Sequence, residues 1–205
     1  MAGCSNKGKT RKYMKFKCTM NSSIIFYFAR MKYLLDGQET ERLYFRKIKE
    51  TDFNEWLEFH KDPATSRYWV SEKEAADIEC RKWYAYQFSR YGQDKGGMNA
   101  LVEKKTGRLV GHSGLLVQVV DGITELEIAY SLLPAFWKNG FAGEAAGKCR
   151  DFAFANEYAD SLISIISLDN RPSEKVALGI GMVPVKKTIY NNNAVNIFRI
   201  YRPAK

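Results

Sequence analysis

An eight-residue stretch, FWKNGFAG at residues 136–143, has the composition of a loop that binds an anion. It contains two glycines and no acidic residue, and it joins a strand-like run ending at Leu133 and Pro134 to a helix-like run rich in small residues. Glycine lets the backbone approach a ligand that a side chain would block. The helix that follows presents free N–H groups and the positive end of its dipole, which together suit a phosphate or pyrophosphate. The alternative is an ordinary connecting loop.

Other motifs that would give this chain a different chemistry are absent. The Walker pattern G-x-x-x-x-G-K-[ST] and the dinucleotide fingerprint G-x-G-x-x-G do not occur. The segment VGHSGLL at 110–116 resembles a hydrolase nucleophile elbow, but that motif needs G-x-S-x-G ahead of a helix. Ser113 is followed directly by Gly114 within a predicted strand, so hydrolysis is disfavoured. His112 is interpreted as a packed or cleft-facing strand residue.

The cysteines and histidines do not predict a metal site or a disulfide framework. The four cysteines are Cys4, Cys18, Cys80 and Cys149, and no pair has C-x-x-C spacing. The two histidines, His60 and His112, are too few for a His-rich metal site. Free thiols fit a reducing cytoplasm, which is the expected location.

The formal charge of +9 is concentrated at the start of the chain. Residues 1–30 hold seven basic residues and no acidic one, which leaves 25 basic and 23 acidic residues in 31–205. We therefore expect 1–30 to be a basic extension, extraneous or disordered, with Met31 as a natural start; a functional basic arm is the alternative. Because the remainder is nearly neutral, nucleic-acid binding is not expected there. No apolar run approaches the ~20 residues of a membrane span.

Hydrophobic periodicity predicts a single domain over 31–205 with helices on a mostly antiparallel sheet. The second helix is predicted to begin with a capping box formed by Ser71 and Glu74. Pro172 is expected near the first turn of the last helix, with Gly179 or Gly181 past its end. The predicted elements are strand 42–48, helix 51–62, helix 71–91, a hairpin over 96–120, strand 121–133, helix 140–157, strand 160–168, helix 170–182, and a hairpin of strands 183–190 and 193–201.

Two separated motifs resemble those of the GNAT acetyltransferases, in particular the RimJ/RimL-like branch that acetylates amines. The signature Q/R-x-x-G-x-G/A matches residues 137–142, although Trp137 replaces the first Gln or Arg. The segment LDNRPSEKVALGIGMV resembles N-x-x-S-x-x-x-x-x-K-L-G-F, without the lysine expected before the late glycine. The resemblance covers roughly 40–202. It implies the GNAT fold, an α/β fold with a mixed, mostly antiparallel sheet of six to seven strands flanked by helices.

The resemblance also implies acetyl-CoA as cosubstrate, with the loop holding its pyrophosphate and no metal. A bulge in the strand ending near Leu132 would splay this strand from the one at 161–168, and a freed N–H would polarise the thioester carbonyl. The amide of Asn170 would bond the pantetheine arm, although Asn170 could instead be only a helix N-cap. The implied CoA-binding residues are Leu132, Leu133, Lys138, Asn139, Gly140, Phe141, Ala142, Gly143, Asn170 and Ser173.

The chemistry implied is direct attack on the thioester by an amine, either a protein N-terminus or a small molecule. Glu125 and Glu127 share one face of a strand because side chains alternate, and Glu127 is the preferred general base. Glu125 or a water chain is the alternative. Ser173 or a nearby tyrosine would protonate the departing thiolate. The enzyme would be a monomer or a homodimer. A non-catalytic acyl-CoA sensor and a basic-tailed RNA-binding protein are the alternative functions.

Overall fold

The computed structural model describes residues 32–69 and 74–204. The predicted basic extension at 1–30 and the predicted cap Ser71 therefore lie outside the described residues. The strands are β1 (Leu43–Arg46), β2 (Gly96–Glu103), β3 (Leu109–Val120), β4 (Ile123–Leu132), β5 (Ser161–Ser167), β6 (Val183–Tyr190) and β7 (Asn193–Tyr201). The α-helices are α1 (Phe53–Lys61), α2 (Pro63–Ser66), α3 (Ala76–Tyr91), α4 (Phe141–Ala155) and α5 (Arg171–Gly179).

The seven strands form one sheet in the order β1-β2-β3-β4-β5-β7-β6. All neighbouring strands are antiparallel except β4 and β5, which run parallel because the crossover helix α4 connects them. The predicted α/β fold, with a mostly antiparallel sheet of six to seven strands, is confirmed.

Helices cover both faces of this sheet, as two neighbouring residues of β3 demonstrate. The ring of His112 packs against Trp56 of α1 and Trp83 of α3, with ring centroids 4.2 and 4.7 Å away. The next residue, Ser113, points to the opposite face, where its hydroxyl lies 3.5 Å from the thiol of Cys149 on α4. The sheet is therefore the middle layer of a three-layer domain, and the two faces present different residues to the two helical layers.

The tip of the β3–β4 hairpin contacts β6, a strand that is not adjacent to β3 or β4 in the sheet. Its two-residue turn has positive φ at Asp121 and Gly122, the conformation that joins tightly twisted strands. The carboxylate of Asp121 accepts hydrogen bonds from Lys186 (2.6 Å) and Thr188 (2.8 Å) of β6, which lies beyond β5 and β7 in the strand order. Val120 is buried against isoleucines and valines of β5 and β7. The hairpin tip is thus held over one face of the sheet.

Two predictions about helix ends need correction. The helix α3 begins at Ala76, with Ala75 as its N-cap, so Glu74 precedes the helix and the predicted capping box is wrong. The Glu79 carboxylate instead accepts the Glu74 N–H. The predicted helix 51–62 is followed by the short helix α2, which the sequence analysis does not predict. Proline also suits a first helical turn, and the Asp62 side chain caps this turn through the Ala64 N–H.

Within 32–69 and 74–204, no helix is both long and apolar enough to cross a bilayer.

Candidate active site

A gap opens in the sheet between the ends of β4 and β5. Glu127 and Ile163 form the one paired position of this parallel ladder, yet β4 continues to Leu132 and β5 to Ser167. The hydroxyl of Ser164 donates to the Ile128 carbonyl at 2.8 Å, just beyond the paired position. The predicted divergence of these strands is therefore present in the structure.

The predicted bulge is absent from the ladder that β4 forms with β3. All ten pairs from Gly111–Leu132 to Val120–Ile123 follow one continuous register. The divergence arises instead because β4 follows its partner β3 while β5 follows β7, with which it pairs along its whole length. The gap therefore lies at the predicted position, but it does not arise from a bulge in β4.

Backbone N–H groups of β4 face this gap. The Leu133 N–H donates to the Val110 carbonyl of the β3 side at 3.0 Å. Because the hydrogen-bonding direction alternates along an antiparallel strand, the N–H groups of Tyr130 and Leu132 point away from β3, towards β5. The Leu132 carbonyl points the same way and accepts the Trp137 indole N–H at 2.8 Å. Trp137, at the variant position of the signature, thus fixes the end of the strand.

The glycine-containing loop ends in a turn with positive φ angles, which glycine adopts easily and other residues do not. Gly140 is the N-cap of α4 with φ of 80°, and Lys138 also has a positive φ of 63°. A non-glycine residue in this region costs of order 1 kcal/mol, so the Lys138 conformation must be held by its surroundings. Residues 137–140 are exposed, whereas the Phe141 side chain is buried. Phe141 can therefore offer only its backbone to a ligand.

The first turn of α4 leaves its N–H groups directed at open space. The intrahelical ladder starts with the Glu144 N–H, which donates to the Gly140 carbonyl at 3.1 Å. At Gly143 an added Cβ would have no atom within 4 Å, so space is open beside this turn. The predicted residues Lys138, Asn139, Gly140, Phe141, Ala142 and Gly143 are thus brought together where a helix N-terminus meets solvent.

A clamp formed by Thr40, Arg42 and Glu144 fixes this turn to the beginning of β1. The Glu144 carboxylate accepts hydrogen bonds from the Arg42 backbone N–H (2.9 Å), the Arg42 Nε (2.6 Å) and the Thr40 hydroxyl (2.5 Å). The Arg42 Nη1 also donates to the Asn139 carbonyl at 2.9 Å. Burial raises the pKa of Glu144, but these hydrogen bonds outweigh burial and the net pKa is lowered. Sequence reasoning missed the clamp, because its partners are about a hundred residues apart.

Glu127 lies buried at the paired position where the gap begins, with 8% of its surface exposed. Its carboxylate accepts a hydrogen bond from Gln118 Nε2 of β3 at 2.8 Å and another from the Ile165 backbone N–H. Burial raises the pKa of Glu127 to about 7, even though these two hydrogen bonds and the charge of Arg90 lower it. A carboxyl group with a pKa close to neutral can take up and release protons under physiological conditions.

Glu125, the alternative base, is already engaged. Its two carboxylate oxygens accept hydrogen bonds from the two terminal guanidinium nitrogens of Arg199 on β7, one of them at 3.1 Å. Arg199 also donates to the Ser161 hydroxyl at 2.6 Å. Both Glu125 oxygens are therefore occupied by Arg199 and are not available to an incoming amine.

Asn170 and Ser173 lie at the start of α5, on the other side of the gap. The Asn170 Oδ1 accepts the Ser173 N–H at 3.1 Å, so Asn170 acts as the N-cap that the sequence left open as an alternative. The Tyr130 hydroxyl reaches across from β4 and donates to the Ser173 carbonyl at 2.8 Å. Burial, followed by the nearby charge of Glu127, raises the pKa of Tyr130. The two predicted sources of a proton for the thiolate are therefore neighbours.

Two residues considered for other chemistry are buried away from this gap. The Ser113 hydroxyl donates to the Ala129 carbonyl at 2.9 Å within the sheet, which leaves no role as a hydrolase nucleophile. His112 is fully buried between Trp56 and Trp83. In the described part of the chain, no three His, Cys, Asp or Glu residues are grouped so as to hold a metal ion.

Comparison with known proteins agrees with this geometry. Residues 42–183 match the family described as the acetyltransferase (GNAT) domain. Over 173 residues the chain is 26% identical to an uncharacterized N-acetyltransferase of Bacillus subtilis, YoaA, which covers 80% of this chain and 96% of YoaA. An 80-residue stretch is 35% identical to YkkB of the same organism, but it spans only 46% of YkkB and 39% of this chain.

Solved structures show the same fold. RimJ of Mycobacterium smegmatis, determined in complex with CoA-disulfide, superposes with a TM-score of 0.65 at 14% identity and covers 78% of this chain and 81% of its own. At this level of identity the similarity shows the fold alone. The family match over 42–183, together with the sheet gap and the loop at the helix N-terminus, shows that the chain belongs to the GNAT acetyltransferase family and is an acyltransferase.

Proposed function

We propose that the chain transfers the acetyl group of acetyl-CoA to a primary amine, by direct attack, in the manner of the RimJ/RimL-like branch. The acceptor would be a protein N-terminus or a small-molecule amine. The observation that carries this proposal is the buried Glu127 carboxyl, with its pKa near 7, at the point where β4 and β5 separate.

The residues around the gap fit CoA. Its pyrophosphate would bind the N–H groups of the first turn of α4, where the helix dipole is positive and no Cβ at Gly143 fills the space. Lys138 and the backbone of Asn139 and Gly140 would complete this loop. The pantetheine arm would lie along the gap, between Leu132 and Leu133 on one side and Asn170 and Ser173 on the other.

Proton removal from the acceptor would be the task of Glu127. An amine that arrives as ammonium must lose a proton before its nitrogen can attack a carbonyl carbon. The Glu127 carboxylate would accept this proton directly or through water. Acetyl-CoA supplies the acetyl group as a reactive thioester, and the N–H groups of Tyr130 and Leu132 would donate to its carbonyl oxygen as negative charge develops there.

The leaving sulfur would gain a proton from Tyr130 or Ser173. The Tyr130 hydroxyl would turn from the Ser173 carbonyl to the developing thiolate; burial raises the pKa of Tyr130, which makes it a weaker acid than an exposed tyrosine. Overall the amine nitrogen gains an acetyl group and the carbon–sulfur bond breaks. The first amine proton passes through Glu127 to solvent, and the second, lost as the amide forms, replaces the proton that Tyr130 or Ser173 gives to the sulfur. The presence of Glu127 beside the gap disfavours a non-catalytic acyl-CoA sensor.

The test is a screen of primary amines for CoA release with the full chain, followed by Glu127→Gln on the best acceptor. Turnover should fall by ~10²–10⁴-fold, the usual contribution of general acid–base catalysis. The loss should be partly recovered at high pH, where the amine is already neutral. Unchanged turnover at neutral pH would remove Glu127 from the mechanism.

Two variants serve as controls. Gly140→Glu should abolish CoA binding, measured by calorimetry, because it adds bulk and negative charge beside the proposed phosphates. Glu125→Gln should lower the melting temperature by weakening the pair with Arg199, while the pH dependence of turnover stays as in the parent. CoA binding that survives Gly140→Glu would refute the assignment of the loop.

A further inference from the structure

The Glu127 carboxylate is held by residues from two other strands. Gln118 of β3 faces Glu125 across the ladder and lies diagonally from Glu127, on the same face of the sheet. Its Nε2 donates to Glu127 Oε2 at 2.8 Å, and the Ile165 N–H of β5 also donates to this carboxylate. The backbone donor cannot be removed by substitution, so Gln118 is the side chain through which the carboxylate is oriented.

We propose that Gln118 is a positioning residue that holds the Glu127 carboxylate in the orientation and charge state that a proton acceptor requires. The inference rests on the proposed function, since it assigns Gln118 a role through Glu127. An amide has one property that suits this role. It donates a hydrogen bond at every physiological pH and never itself takes the proton, so it favours the charged carboxylate without competing for the amine proton.

Other charged and titratable groups lie near Glu127, and their effects on its ionisation must be distinguished from the effect of Gln118. Arg90 of α3 is buried, and its guanidinium donates to the carbonyls of Lys95 (2.5 Å) and Val117 (2.9 Å). Its charge favours the ionised form of Glu127 from a greater distance than the hydrogen bond. The remaining groups are Tyr130 of β4, Tyr190 of β6, and the Glu125–Arg199 pair of β4 and β7. Among these groups, Gln118 is the side chain with a hydrogen bond to the Glu127 carboxylate.

Removal of the donor should therefore make Glu127 harder to ionise. A hydrogen bond to a charged group is worth enough to shift a pKa by about one to two pH units. In Gln118→Met, which keeps the length of the side chain, the pKa of Glu127 should rise by about this amount. The acidic limb of the pH profile of kcat/KM should move upward by the same amount, and the affinity for CoA should not change.

The experiment uses two independent measurements on the full chain. Carbon NMR of glutamate labelled at the carboxyl carbon gives the pKa of Glu127 without any acceptor, with Glu127→Gln identifying the signal. The pH profile of turnover is then measured with the amine found in the screen. Gln93→Met is the matched control, because the Gln93 side chain is exposed and its hydrogen bond among the described residues is to the Ser89 hydroxyl. Gln118→Glu provides a second variant, in which two carboxyl groups should share a proton and the pKa of the pair should rise.

The outcomes separate this inference from the proposed function. A raised pKa of Glu127 with a shifted rate profile in both Gln118 variants, and neither change in Gln93→Met, supports the positioning role. An unchanged pKa of Glu127 in Gln118→Met overturns it, even if Glu127→Gln is inactive. A raised pKa with an unshifted rate profile would sustain the Gln118 contact and would overturn Glu127 as the base.

Discussion

Truncation of Glu144 to alanine should weaken CoA binding, because Glu144 holds the loop that we propose for the pyrophosphate. Its carboxylate accepts three hydrogen bonds, two from Arg42 and one from Thr40, and Arg42 in turn holds the Asn139 carbonyl. These contacts order the residues before α4 in the absence of ligand. Without them, part of the binding free energy would be spent on ordering the loop.

The size of the effect follows from the burial of the two charged partners. Exposed ion pairs contribute ~0–1 kcal/mol, whereas hydrogen bonds to charged groups contribute ~1.5–3 kcal/mol. The Glu144 side chain is 17% exposed and that of Arg42 44% exposed, so the clamp lies between these limits. We expect Glu144→Ala to cost about 1–2 kcal/mol of CoA binding, which corresponds to a roughly 5- to 30-fold weaker Kd.

Glu144 also has an effect on CoA affinity of the opposite sign, so the test needs a variant that separates the two effects. Its negative charge near the first turn of α4 would repel a bound pyrophosphate, so charge removal alone should tighten CoA binding. Glu144→Gln separates the two effects, since it removes the charge and keeps one acceptor oxygen for the clamp. Calorimetric titration of CoA into Glu144→Ala, Arg42→Ala and the double variant gives the coupling between the two residues. A Kd in Glu144→Ala that is no weaker than the Kd in Glu144→Gln would refute the loop-ordering role.

Two further predictions concern stability and pH. Burial lowers the pKa of His112 to about 3, so the unfolded chain binds its proton more readily and stability should fall as pH drops from about 6.5 towards 3, by up to ~1.4 kcal/mol per pH unit. Urea unfolding at pH 4 and 7 should show a smaller loss in His112→Phe than in the parent, and an equal loss would contradict this account. Burial raises the pKa of Glu127, so its contribution to stability should instead decrease as pH rises from about 4.5 through about 7. Glu127→Gln should accordingly exceed the parent in stability at pH 8 and match it near pH 4, and a less stable variant at pH 8 would show that the charged form is not disfavoured.

Much of the fold was predictable because local patterns decide it. Alternation identifies the strand at 42–48, a short apolar run identifies the strand at 160–168, and the glycines of FWKNGFAG mark the turn before α4. The same alternation puts Glu125 and Glu127 on one face, but it cannot say which of the two forms an ion pair. That depends on Arg199, which reaches Glu125 from a strand 74 residues away. Which of the two carboxylates is ion-paired therefore depends on tertiary structure and cannot be predicted from the local sequence.

The parts of the site that could not be predicted all rest on contacts between distant segments. Arg42 and Glu144 are 102 residues apart, and nothing in either local sequence marks them as partners. The predicted bulge came from family resemblance, and here a different arrangement produces the gap: β4 keeps its register with β3 while β5 follows β7. The Asn170 side chain had two open interpretations, and only its bond to the Ser173 N–H distinguishes the capping role.

The arrangement of the β3–β4 hairpin connects the stability of this domain with the chemistry proposed for it. A carboxyl group whose pKa rises from 4.5 to about 7 costs the folded state on the order of 3 kcal/mol when it is charged. The hairpin that carries both Gln118 and Glu127 is fastened at its Asp121 turn to Lys186 and Thr188 of β6. These contacts hold the hairpin tip, while burial in the body of the sheet raises the pKa of Glu127. Gln118 and the Ile165 N–H then offset enough of this cost for the carboxylate to ionise near neutral pH, where a base for an ammonium substrate is needed.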